Sequence, residues 1–317
     1  SSVQWAIDVP DDDEQTIYVW IDALSNYITA IGYDINEPSE KFKKLWPANV
    51  QIIGKDIIKF HSIYWTTILM SLGLPLPETI FSHGWITIDE SKMSKSIGNV
   101  IAPKDVIDNF NLEHPDAFRY YMASAATLGK DGNYSDNEFK EKVNADLANN
   151  IGNLLNRTLN MLVKYFEGEI KSEFISDKNS SIAILAEDTK KQIIEKFNKY
   201  EIAEAANSIV DFADRVNKYV TENAPWQLAK EEKYTQCGQV IYNTLESMRY
   251  IALFIYPYCP NIAKDILKQL NQEEDFKYSK LQWGAIKEGK ITEKEKIKPV
   301  FLRLDSEFAL DKKRYIN

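Results

Sequence analysis

Hydrophobic and polar positions along the chain follow two regimes. Up to about residue 136, short apolar runs alternate with amphipathic stretches. Residues 16–21, with Ile17-Tyr18-Val19-Trp20-Ile21 in succession, predict a buried strand, and Asp22 onward predicts a short helix after it. Residues 50–53 predict a second strand, turning at Gly54-Lys55-Asp56 into a helix over 56–71 capped by Asp56. Residues 85–88 predict a third strand. Strands that alternate with helices call for a parallel sheet. Helices are expected to begin at Pro103 and near Asp116, and the Gly- and Asp-rich stretch 129–136 is expected to connect two domains.

From residue 137 the period becomes helical. Val143, Leu147, Ile151, Leu154, Thr158 and Leu162 step by three or four and form one apolar stripe. Asn149, Asn153, Asn156, Arg157 and Asn160 lie on roughly the opposite face. Asparagine is a poor helix former, so its concentration on a surface face suggests hydrogen bonding to a partner. Further helices are expected over 182–198, 202–223, 236–256 and 261–270. Pro225 stops the second of these and sets Trp226 beside its end. Trp226 there is either a plug in the bundle or a stacking platform for a base. Residues 271–296 are charged and expected to be loosely structured. The apolar segment 299–304 is expected to fold back on the first domain.

Composition narrows the class. The 317 residues, 44% hydrophobic and 27% charged, suffice for two domains with cores of their own. No apolar run has membrane-spanning length, so no membrane role is expected. The net charge, 38 − 47 = −9, argues against tight nonspecific binding to nucleic acid but leaves room for a local surface that docks one folded RNA. Cys237 and Cys259 are too far apart for a Cys-x-x-Cys pair, and the three histidines add no zinc spacing, so no metal site is expected. Two unpaired thiols suit a reducing, cytoplasmic setting.

The candidate chemistry begins with Lys92-Met93-Ser94-Lys95-Ser96, a polar loop after the 85–88 run, with Gly98 to turn the backbone. Two ammonium groups on flexible stems, flanked by small hydroxyls, can follow phosphates whose charge shifts during reaction. Two lysines alone describe many solvated loops. With His83-Gly84 before them and Gly98-Asn99 after, they resemble the second signature of class I aminoacyl-tRNA synthetases. The resemblance implies ATP binding through Lys92, Met93, Ser94, Lys95, Ser96, His83 and Gly84. It makes Lys92 and Lys95 the catalytic pair in aminoacyl-adenylate formation, with ATP and Mg2+ as substrate.

Tyr18-Val-Trp-Ile-Asp-Ala23 and Ile53-Gly-Lys-Asp-Ile-Ile-Lys-Phe-His61 are similar to the methionine-pocket blocks of the methionyl-tRNA synthetases. By that resemblance Trp20, Ala23, Leu24 and Tyr27 line the side-chain pocket and His61 closes its far end. Asp56 and Gly54 face the amino acid and the ribose. Leu24 departs from members that carry proline there. A thioether lacks strong donors and acceptors, so shape and sulfur–aromatic contact must select it. Asn153, Arg157, Pro225 and Trp226 match the elements with which that family reads a CAU anticodon, which implies tRNA(Met) as a partner.

The family's first signature, His-x-Gly-His, has no match in the chain. The expected fold class is therefore α/β: the C-terminal half of a Rossmann-like parallel-sheet catalytic domain with its stem-contact segment (1–136), then an all-α anticodon-binding bundle with a tail (137–317). The chain is expected to be part of a larger enzyme, its N-terminal catalytic half removed or carried on a companion chain. A tRNA-binding piece without catalysis of its own, or a related synthetase for another apolar amino acid, are the alternatives.

Overall fold

In the computed structural model the residues described are 7–88, 91–92, 100–125 and 129–304. The chain forms two compact units, 1–85 and 86–317. The architecture is mixed α/β, with short parallel sheets early in the chain and helices after them.

In the first unit, β1 (Asp8–Val9) and β2 (Asp12–Thr16) form an antiparallel hairpin. The buried strand expected over 16–21 is instead the entry to helix α1 (Val19–Thr29). Tyr18, Val19 and Ile21 stay exposed, while Leu24 and Ile28 are buried. The physical reason is periodicity: Trp20, Leu24 and Ile28 recur at i, i+4, and beyond Ile17, where the hairpin pairing ends, a helix satisfies its own backbone groups. Helix α2 (Glu40–Leu45) is capped by the Ser39 hydroxyl, which accepts from the Phe42 amide. Next come β3 (Val50–Gly54), a single 3-10 turn at Lys55–Ile57, a π-helical turn at Phe60–Trp65, and α3 (Thr66–Ser71). The helix expected over 56–71 is thus continuous but changes its winding three times, from 3-10 to α at 58–59, to π and back to α. Asp56 lies in the first turn, and the cap position belongs to Gly54. Strand β4 (Thr79–His83) runs parallel to β3, in the register Gly54↔His83. Phe42, Trp46, Trp65 and Leu69 close a small core with Leu24 and Ile28.

The second unit opens with β5 (Ile86–Ile88), which pairs antiparallel with β6 (Ser91–Lys92). It therefore does not extend the β3–β4 sheet as the third strand expected there. Helices α4 (Pro103–Asn109) and α5 (Asp116–Ser124) follow. The stretch expected as a turn-rich connector supplies a strand, β7 (Gly132–Tyr134), parallel to β5. Then come α6 (Asp136–Lys142), a π-helical segment at Val143–Gly152 and α7 (Asn153–Phe166). All six stripe residues from Val143 to Leu162 are at most 1% exposed. The uniform step of four from Val143 to Ile151 suits the wider π turn, and the step of three to Leu154 coincides with the return to α winding.

Strand β8 (Glu169–Ile170) leads to α8 (Ser181–Asn198) and α9 (Ile202–Asn223), then to α10 (Pro225–Lys230), α11 (Tyr234–Ile255) and α12 (Pro260–Gln269). Helix α11 is buried almost throughout, so the bundle is built around it. The charged stretch expected to be loose is anchored. Buried Glu246 accepts from Arg249 Nε at 3.0 Å and from the Ile286 amide at 2.6 Å, and Arg249 also donates to the Gln282 carbonyl. There β9 (Gly289–Lys290) pairs with β8.

Two locks tie the β5–β7 segment to the bundle. Asp116, 1% exposed, accepts from Asn261 Nδ2 at 3.0 Å and from the Ile262 amide at 2.9 Å, capping the first turn of α12. Arg119 donates to the carbonyls of Tyr258 and Pro257. The apolar tail returns to this same region: Leu304 exchanges two hydrogen bonds of 2.8 Å with the Asn144 side chain, and Phe301 lies against Gly152. These hydrogen bonds are with the π segment, and the tail borders one cavity together with residues 110–114, 116 and 117, which the sequence had assigned to the first domain.

Candidate functional site

The first candidate site stands on α1 and the π turn. His61 is 2% exposed, and its Nδ1 lies 3.0 Å from the Ile57 carbonyl. A carbonyl only accepts, so the tautomer that fits carries its proton on Nδ1 and leaves Nε2 as an acceptor. The Tyr27 hydroxyl, 2.9 Å away, donates to it. Burial raises the Tyr27 pKa, so the phenol keeps its proton. Trp20 stacks on Phe60 with centroids 4.1 Å apart and planes 6° from parallel, and stands edge-on to His61. Tyr27 also meets Trp65, whose buried indole N–H has no hydrogen-bond partner among the described residues. The arrangement is an aromatic wall with one oriented polar pair, suited to an apolar, polarizable side chain.

The structure thus brings together Trp20, Tyr27 and His61 as the sequence suggested. Ala23 is exposed on the same helix. Leu24 faces the core, 1% exposed, so it supports α1 from behind. Phe60 and Trp65 were not singled out from the sequence. Their signal was their spacing around His61, one residue before it and four after.

At the carboxyl ends of β3 and β4 sit Gly54 and His83, side by side in the register. This is where parallel sheets place ligands. A side chain at Gly54 would put its Cβ 2.8 Å from Asp56 Oδ1, so the glycine makes room for that carboxylate. His83 Nδ1 donates to the Gly84 carbonyl at 2.8 Å. Lys55 Nζ lies 4.3 Å over the Trp85 ring. Of the lysine loop, Lys92 is placed by its backbone in β6, opposite Thr87. Met93, Ser94, Lys95, Ser96 and Gly98 lie outside the described residues. Among the described residues no group of three or more His, Cys, Asp or Glu could hold a metal ion, and no helix is long and apolar enough to cross a membrane.

The second candidate site is on the bundle. Asn153 is exposed at the start of α7, and Arg157 is half-buried one turn on. Arg157 Nη2 donates to Asn217 Oδ1 on α9 at 3.0 Å. Its Nε is buried without a partner among the described residues, and burial draws the guanidinium pKa below its ordinary value. Asn160 turns back to Asn156, so that part of the asparagine face satisfies itself. Helix α9 ends at Ala224, whose φ of 40° swings the chain into Pro225 and Trp226. Pro225 is buried, and its carbonyl accepts from the Cys237 thiol at 3.2 Å. Trp226 is 39% exposed. From Asn217 to Ala224 the helix rises about 10 Å, so the last two turns of α9 join Arg157 to the Trp226 corner.

Comparison with known proteins gives the class first. Residues 1–159 match the family of tRNA synthetases class I (M), and residues 181–310 match the anticodon-binding domain of tRNA ligases. The chain belongs to the tRNA synthetases class I (M). Its relatives include the methionine–tRNA ligases of Caldanaerobacter subterraneus subsp. tengcongensis, 42% identical over 98% of this chain and 48% of that protein, and of Listeria innocua, 42% identical over 97% and 46%. Among solved structures it is similar to Mycobacterium tuberculosis methionyl-tRNA synthetase bound by methionyl-adenylate, with a TM-score of 0.82 at 33% identity, covering 95% of this chain and 59% of that one. The chain spans about half the length of the curated relatives it matches.

Proposed function

We propose that the chain is a portion of a methionine–tRNA ligase, with residues 1–136 as the C-terminal part of the catalytic domain and 137–317 as the anticodon-binding part. The whole enzyme joins methionine to ATP, supplied with Mg2+, and then to tRNA(Met). The methionine carboxylate attacks the α-phosphorus, pyrophosphate leaves, and a hydroxyl at the tRNA 3′ end then displaces AMP from the adenylate. The substrate supplies the nucleophile, so the protein's task is positioning and charge stabilisation.

The observation that carries this reading is the aromatic cluster around the Tyr27–His61 hydrogen bond. Trp20 and Ala23 offer the methionine side chain an apolar wall on α1, with Leu24 behind them. Tyr27 and His61 close the end with a pair whose donor and acceptor are already satisfied by each other. Gly54, Asp56, His83 and Gly84, at the sheet's carboxyl end, take the ribose and the amino-acid head. Lys92 and Lys95, with Met93, Ser94 and Ser96, hold the phosphates. Asn153, Arg157, Pro225 and Trp226 take the CAU anticodon. The buried, unpaired cysteines suit the cytoplasm.

The surface of the first unit supports a missing catalytic half. Val19, Ile52 and Met70 are each more than 60% exposed, and β3 and β4 each have one edge with no strand partner among the described residues. Methionine-dependent pyrophosphate exchange by the intact protein tests the proposal. Exchange driven equally well by leucine, isoleucine or valine overturns it.

A second reading, a tRNA-binding piece with no catalysis of its own, draws on the absent His-x-Gly-His and the half-length match. Recovery of a companion polypeptide with that motif, which restores adenylate formation when added, decides between them.

A further inference from the structure

A polarised chain of side-chain hydrogen bonds runs behind Arg157. Arg157 Nη2 donates to Asn217 Oδ1 at 3.0 Å, and Asn217 Nδ2 donates to Asn150 Oδ1 at 2.6 Å. Asn150 Nδ2 in turn donates to Asp214 Oδ1 at 2.7 Å. The direction of the chain is fixed at both ends, because arginine only donates and an ionised carboxylate only accepts. Asn217 is fixed a third way. Its second Nδ2 hydrogen reaches the Ala213 carbonyl at 3.0 Å, which forces Oδ1 to face Arg157. Both donors and the acceptor of this one amide are therefore committed, and the amide cannot flip without losing all three bonds.

No carboxylate among the described residues forms an ion pair with Arg157, and only its Nη2 has a partner. A half-buried cation held by a neutral amide keeps its full charge for an external acceptor. Aspartate at position 217 would have cancelled that charge, and a free rotamer would have cost entropy on binding.

We propose that Asn217 is a positioning residue for anticodon recognition: it holds the Arg157 guanidinium in the orientation that meets a base edge or phosphate of the RNA. This rests on the assignment of Arg157 to anticodon binding, and the test separates the two.

The experiment measures affinity of the intact protein for a CAU anticodon stem-loop and for the same stem with another anticodon. It compares Arg157→Ala, Asn217→Ala, the double variant and Asn150→Ala, with melting temperature recorded for each. The expected result is a loss of roughly tenfold in CAU affinity for Asn217→Ala, at little change in melting temperature and with reduced preference for CAU. In the Arg157→Ala background, Asn217→Ala is expected to cost nothing further, because it acts through the arginine. Asn150→Ala, which leaves the Ala213 bond in place, is expected to cost less than Asn217→Ala, and it carries the test if Asn217→Ala does not fold. Full affinity in Asn217→Ala, with Arg157→Ala impaired, overturns the positioning role and leaves the anticodon assignment standing. Full affinity in Arg157→Ala removes the assignment and the proposal together. An equal further loss in the double variant assigns Asn217 to folding and overturns the proposal.

Discussion

The hydroxyl of Tyr27 and Nε2 of His61 lie 2.9 Å apart, and the Ile57 carbonyl on the other ring nitrogen decides which of them donates. A neutral His61 bearing its proton on Nδ1 can only accept from Tyr27. Tyr27→Phe therefore leaves a buried acceptor without a donor, at a cost of about 1–3 kcal/mol. We expect methionine affinity in the intact protein to fall accordingly, with ATP affinity nearly unchanged. Titration with each ligand checks this, and nitrogen-15 spectra of His61 check the tautomer. An Nε2–H tautomer in the wild type contradicts the assignment.

Trp20 stacks on Phe60 in nearly parallel planes. Trp20→Ala removes one face of the aromatic wall but none of the groups at the carboxyl ends of β3 and β4. It is expected to weaken methionine binding and spare ATP. Equal loss of both ligands would mean that Trp20 supports the whole unit.

Lys95 lies outside the described residues, and its expectation comes from the loop sequence. Lys95→Ala in the intact protein is expected to slow pyrophosphate exchange by the equivalent of about 3–4 kcal/mol, the typical effect of losing one preorganised transition-state donor. Methionine and tRNA binding should change far less. A rate within about threefold of wild type is incompatible with a transition-state role at this scale.

Trp226 is 39% exposed and follows a buried proline. The partial exposure favours a stacking platform over a core plug. Trp226→Ala is expected to lower affinity for a CAU stem-loop by about 1–3 kcal/mol with a small change in melting temperature. A large fall in melting temperature with unchanged CAU preference defeats the assignment. The net charge of −9 further implies that binding is modest and weakens steeply with salt.

Cys237 holds the Trp226 corner by donating to the Pro225 carbonyl, and burial pushes its thiol from 9.0 to about 11. A group whose folded pKa is raised contributes stability that is complete below the unfolded value and lost as pH climbs through the folded one. Stability to urea is expected to hold up to about pH 8.5 and to decline toward pH 11. Cys237→Ala should make the part of this decline below pH 10, where tyrosines do not yet ionise, shallower, with the rest carried by Cys259, whose buried thiol is also raised. An equally steep decline in that variant assigns the effect to other groups.

Much of the bundle was legible because local periodicity and long-range packing agree there. The stripe from Val143 to Leu162 could be read directly, since one helix face meets one core and every fourth residue must be apolar. Helix α9 begins and ends at the expected residues because Pro225 forbids its continuation. The run at 17–21 was misread because five apolar residues in succession fit a strand as well as a helix entry. The choice depends on how far another strand lies alongside: the hairpin pairing reaches Ile17, whose amide donates to the Ile7 carbonyl, and the helix begins at Val19.

By itself, the sequence determined which candidate groups stand close along the chain and where the bundle's helices stop: Lys92 and Lys95 in one loop, Trp20 and Tyr27 two turns apart on one helix, Pro225 before Trp226. These are properties of side-chain type and short separations, and the chain cannot alter them by folding. Only the tertiary structure decided which atoms those groups present. The proton on His61 follows from a carbonyl, and the orientation of Arg157 follows from an amide 60 residues away that no pattern in the chain marks. Leu24 turned out to face the core, and Phe60 to carry the stack on Trp20. Hydrogen bonds and ring contacts across elements are set by three-dimensional register, which depends on all the packing at once and leaves no local trace in the sequence.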